Sequence, residues 1–129
     1  MADGLATVAC ANALLNTLVG TSFSVSSLYI ENHTAATGAA GTTGGSTGST
    51  VRPRLYMAAA VTGTITMSST APSWTNTGVT ETITDQAVWS SSSGGTFYWS
   101  VQLTLSKAWA SGDTLTQNTC QLALSPLAA

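Results

Sequence analysis

The chain has 129 residues, a net charge of -2 and only 6% charged residues, against about 25% in typical soluble proteins, while serine and threonine supply roughly a third of it. With Arg52, Arg54 and Lys107 as its only cations, it lacks the basic patch that nucleic-acid binding requires, and no apolar run reaches the roughly 20 residues of a membrane-spanning helix. The length fits one domain around a single core, and so neutral a surface gives little charge repulsion to keep free copies apart, so much of it is expected to be covered in the working state.

Residues 1–20 carry the one helical pattern. Leu5, Val8, Asn12, Leu15 and Val19 recur at three- and four-residue steps, with Leu14 and Leu18 widening the stripe. Asp3 is the expected N-cap and Gly20 the expected C′ residue. A secretory signal is disfavoured, because no positive charge precedes the apolar run, an acid stands at position 3, and Asn12 and Asn16 interrupt it. Residues 21–33 form the first strand region, with Phe23 and Val25 on one side and Leu28 and Ile30 on the other.

From 34 to 50 the chain is almost entirely Gly, Ala, Ser and Thr, which predicts a flexible arm that stays mobile or orders against a neighbour. Residues 51–129 are expected to hold the β core. Leu55, Met57, Ala59 and Val61 share a parity that Ile65 and Met67 resume after Gly63, so Gly63 marks a bend within one long strand or between two short ones. The segment 67–79 is turn-rich.

The clearest strand signal runs from Ile83 to Leu124. Phe97, Trp99, Val101, Leu103 and Leu105 alternate with polar residues and tyrosine, a period-two pattern that assigns them to one buried face. Ile83–Trp89 precedes them across a serine-glycine loop, Ser90–Gly95, predicting a β-hairpin. A turn at 110–113 and a strand from 114 to 124 then complete a three-stranded antiparallel meander. Together these patterns predict a mainly β chain: an antiparallel β-sandwich or small barrel with one N-terminal α-helix at one end or edge.

The residue types for catalysis are scarce. His33 is the only histidine, and its place beside a loop fits a structural or solvated role. Glu81 and Asp85 stand four apart in a strand, so about 13 Å separates them, too far for a retaining glycosidase pair. Gly41–Gly45 lacks the lysine of a phosphate loop, and one histidine with two distant cysteines makes no metal cluster. No cofactor or metal is expected, and the chain reads as a non-enzyme. Cys10 and Cys120 are expected as buried free thiols, with a bridge between the terminal segments as the alternative. Among the aromatics, Trp89 and Trp99 fall on core parities. Trp74, Tyr98 and Trp109 are the candidates for exposure, and hence for contact with a partner protein or a glycan.

Read end to end, the chain resembles a family of small phage virion proteins, labelled tail-fibre-like, minor capsid or head-decoration proteins and common in phages of actinobacteria. The resemblance rests on Asn12-Ala13-Leu14-Leu15-Asn16, Val25–Ile30, the Gly/Thr-rich loop with its arginine-bearing strand over 37–55, Asn76-Thr77-Gly78, Gly94-Gly95-Thr96-Phe97 and Gly112-Asp113-Thr114-Leu115-Thr116. The chain departs from the pattern in lacking Asp-Pro-Gly in the first loop and in carrying Gln86-Ala87-Val88-Trp89 where the family has another segment. The resemblance implies a non-enzymatic structural protein of the virion, assembled in the host cytoplasm. The first expectation is a homo-oligomeric decoration or minor capsid protein that bridges major capsid subunits outside the head. The alternatives are a tail-tip or tail-fibre-associated protein that touches host glycans through Trp74, Tyr98 or Trp109, and a carbohydrate-binding β-sandwich module.

Overall fold

The computed structural model describes residues 3–125 and 127–128. The fold is mainly β and antiparallel, a curled, sandwich-like arrangement with one N-terminal helical segment. Its strands are β1 (Leu28–His33), β2 (Arg54–Leu55), β3 (Thr64–Thr66), β4 (Ser73–Thr75), β5 (Glu81–Trp89), β6 (Phe97–Trp109), β7 (Thr114–Thr116) and β8 (Gln121–Ala123). One four-stranded sheet has the order β2-β1-β5-β6, and two small ribbons pair β3 with β8 and β4 with β7.

The predicted hairpin is the centre of the fold. The loop between β5 and β6 turns through Gly94 and Gly95, both at positive φ (60° and 79°), where a residue with a Cβ is strained. β5 lies between β1 and β6, so both of its edges are hydrogen-bonded, and Gln86, Ala87, Val88 and Trp89 are buried in succession. Across the hairpin the Trp89 and Phe97 rings pack at 5.5 Å, contributing on the order of 1 kcal/mol beyond their area burial. The bend at Gly63 is a tight turn with Thr62 and Gly63 at φ 48° and 71°. Val61 and Thr64 exchange hydrogen bonds across it, the pairing of a two-residue hairpin. Cys10 and Cys120 are buried and unpaired, and burial pushes both thiols up.

Five expectations are corrected. The helical segment begins at Thr7, with no side-chain cap; Asp3 does not cap it, because Gly4–Ala6 is extended and pairs with β6. Ala6 N–H donates to the Tyr98 carbonyl and Ser100 N–H to the Gly4 carbonyl. From there the chain runs through a widened turn over Thr7–Asn12, α1 (Ala13–Asn16) and a 3₁₀ turn over Thr17–Val19, closing at Gly20 with φ 89°, the expected C′ glycine. Residues 1 and 2 of the predicted helix lie outside the described residues. The first strand is also shorter than predicted, since residues 21–27 are irregular and only Leu28–His33 pairs.

The third strand of the predicted meander does not form. β7 and β8 pair with β4 and β3 instead of β6, because Trp74 and Ile65 take Leu115 and Leu122 as cross-strand partners. Beyond Trp99 the stripe on β6 is a core face only at Leu103, which packs against the core half-buried. The register runs Asp85↔Gln102 and then Ile83↔Lys107, so Leu103–Ser106 stand opposite the single residue Thr84. This large bulge lifts the strand off its partner. Phe97–Ser100 are buried on both parities, whereas Val101 and Leu105 are exposed.

The segment 34–50, expected as a flexible arm, folds against the sheet. Glu81 accepts hydrogen bonds from Ser46 Oγ, from Thr47 N at 3.1 Å and from Gly48 N at 3.1 Å. Gly41 lies beneath the Phe97 ring and Gly48 against the Asn76 amide, each so close that a Cβ would collide. The glycines that suggest mobility are contact points.

Candidate interaction surface

The three aromatics singled out for exposure are buried: Trp74 is 2% exposed, Tyr98 9% and Trp109 2%. The Trp74 indole donates to the Val51 carbonyl (3.0 Å) and that of Trp109 to the Asp113 carbonyl (2.9 Å). This satisfies the polar atom that otherwise draws tryptophan to the surface. Tyr98 meets Phe23 edge to face at 6.3 Å, because residues 21–27 and the extended Gly4–Ala6 cover the face that a half-exposed strand leaves open. The exposure on which a glycan platform would depend is therefore corrected.

The titratable groups serve the fold. His33 is buried, with Nδ1 2.7 Å from the Thr43 carbonyl and Nε2 2.9 Å from Glu31 Oε1, so it ties β1 to the 34–50 loop. Arg52 pairs with the same carboxylate, donates to the Gly94 carbonyl at 2.7 Å and lies 4.0 Å over the Trp89 ring. Partial burial pushes Glu31 up, but the hydrogen bonds and charges of His33 and Arg52 outweigh it and hold the carboxyl below its ordinary range. Glu81 is likewise lowered, its partial burial outweighed by the hydrogen bonds from Ser46, Thr47 and Gly48. Asp85 goes the other way: burial, then the carboxyl of Asp3 facing it, raises it despite the Thr84 hydroxyl. Among the described residues no group of three or more His, Cys, Asp or Glu could hold a metal ion, and no helix is long and apolar enough to cross a membrane.

What the chain does present is apolar surface. The helical segment turns its small residues inward: Cys10 is buried and Ala9 packs against the same core, as does Ala6 just before it. Its large residues point away, with Val8 78% exposed, Leu15 64%, Leu18 83% and Val19 79%. A surface helix ordinarily turns such a stripe to the core. Here each large side chain forgoes the roughly 1.5–3 kcal/mol that full burial would give. The periodicity of the segment was visible in the sequence, but the face that is covered is the small-residue one.

A groove lies where β6 leaves the sheet. The β6 bulge and the chain from Leu115 to Gln121 enclose an open space of about 610 Å³ with a mixed lining, in which Val101, Leu103 and Leu105 alternate with Gln102, Thr104 and Lys107, and Gln117 and Asn118 face them.

No curated protein matches this sequence. The profile of one protein family, described as "Podophage GP4 fiber I protein gp80", matches residues 5–125. That span takes in the helical segment, the whole sheet and both ribbons, and the chain belongs to this family of podophage fibre proteins.

Proposed function

We propose that this chain is a non-enzymatic structural component of a phage tail fibre, working as a docking unit among tail proteins. The observation that carries the reading is the family match over residues 5–125. Two structural facts support it: the titratable side chains are spent on holding loops and termini, and the large apolar residues of the helical segment face outward. The fibre reading replaces head decoration as the preferred placement, since the matching family is a fibre family. Glycan contact through Trp74, Tyr98 and Trp109 has no support from their burial.

Disrupted phage particles separated into heads and tails test this placement. Mass spectrometry and gold-labelled antibody are expected to find the chain in the tail fraction, at copy numbers far below the major capsid protein. Recovery on heads, at copy numbers comparable with that protein, would overturn the fibre reading and restore head decoration.

A further inference from the structure

Arg54 differs from the other charged groups of the sheet in having no opposite charge beside it. The ion pairs among the described residues are those of Glu31 with His33 and Arg52, so no carboxylate neutralises Arg54. Its neighbour Arg52 is tied to Glu31, to the Gly94 carbonyl and to the Trp89 ring. Arg54 is exposed on β2, an edge strand of the main sheet, and two aromatic rings hold it. Tyr29 stands directly opposite Arg54 in the β1–β2 register, and Tyr56 lies two residues on, so alternation puts all three side chains on one face. The guanidinium carbon is 5.6 Å from the Tyr29 ring centroid and 5.3 Å from that of Tyr56, within cation–π range of both. Further along β1 this face is closed by the 34–50 loop, where His33 meets the Thr43 carbonyl. At the Tyr29 end it is open: Tyr29 is half-buried and Tyr56 is 42% exposed.

Each part of this cluster constrains a ligand. A guanidinium held by stacking matches a planar carboxylate through two parallel N–H···O bonds, and its fixed position lowers the ordering cost of binding. One cation in a chain of net charge -2 suits a single negative charge, not the repeated phosphates of a polyanion. The tyrosines add flat apolar contact and a hydroxyl apiece. A bare carboxylate leaves those groups unused, whereas a hydroxylated ring that carries a carboxylate engages them all. The geometry points to a surface site for a sugar acid, with the carboxylate of a uronic or sialic acid on Arg54 and the sugar ring against Tyr29 and Tyr56. This site shares no residue with Trp74, Tyr98 and Trp109, and it stands on side-chain placement independently of whether the chain is found on tails or heads.

Nuclear magnetic resonance titration of the purified full chain, read at the amides of Tyr29, Arg54 and Tyr56, tests it. The probes are D-glucuronate, D-galacturonate and N-acetylneuraminate, with acetate, D-glucose and inorganic phosphate as controls. At least one sugar acid is expected to shift these amides saturably, about tenfold or more tighter than any control, with an affinity that falls as salt rises. Arg54→Gln is expected to weaken that binding about tenfold or more and Tyr56→Ala severalfold. Both variants are expected to keep the circular dichroism of the wild type, because both side chains are exposed. The absence of a saturable shift with all of the sugar acids would overturn the site. Acetate or phosphate binding as tightly as the sugar acids would reduce it to a general anion contact, and unaltered affinity in Arg54→Gln would place the ligand elsewhere; either result overturns the proposal.

Discussion

At the scale of single residues, carboxylates decide how the loops and the N-terminus are held. Glu81 gathers two hydroxyls, of Ser46 and Thr47, and two backbone N–H groups of the 34–50 loop. Glu81→Gln is expected to cost about 1–3 kcal/mol and to raise hydrogen exchange at Thr47 and Gly48. The pH dependence has two opposed limbs. Glu31 and Glu81 are lowered in the folded chain, so their stabilisation is complete above the ordinary carboxylate range and is lost as pH falls through their folded values. Asp85 is raised, so its contribution is present at low pH and is lost as pH rises through its folded value, when its negative charge comes to face Asp3. Urea midpoints measured across pH should show Glu81→Gln flattening the acid limb and Asp85→Asn flattening the other; identical curves for all three proteins would contradict both assignments. None of these pairings was legible in the sequence, because Glu81 and Ser46 are 35 positions apart and only the fold brings them together.

At the scale of elements, local patterns held where one neighbour decides the structure and failed where two compete. The β5–β6 hairpin, the turn at Gly63 and the stop at Gly20 depend on a few adjacent residues and on positive φ, and the sequence shows them directly. The parity of β6 from Val101 to Leu105 is just as regular, yet at the bulge opposite Thr84 only Leu103 keeps contact with the core, while Val101 and Leu105 face solvent. Period two says that a face exists, not that the chain itself covers it. The aromatics failed for a related reason: proximity to turns suggested exposure for Trp74 and Trp109, but each indole finds a carbonyl within 3.0 Å. A pair of substitutions on one strand separates the two halves of β6. In dilute protein, Trp99→Ala is expected to cost about 3–5 kcal/mol, and Leu105→Glu to change stability by less than about 0.5 kcal/mol. Equal destabilisation in denaturant titrations would mean that the distal half of β6 is core after all.

At the scale of the whole molecule, the low charge noted at the outset and the outward apolar residues describe one property. A chain with 6% charged residues and an exposed row of Val8, Leu15, Leu18 and Val19 suits a covered surface rather than free solution. Its membership of a fibre family supplies a setting in which other chains are always near. The most direct measurement is thiol reactivity in assembled particles. Phage carrying Leu18→Cys is treated with a maleimide reagent before and after dissociation, with the buried Cys10 and Cys120 of unaltered phage as the background. The new thiol is expected to be protected in the intact virion and to react at once when the particles are dissociated; equal reactivity in both states would show that the stripe faces water in the virion and would contradict a surface built to be covered.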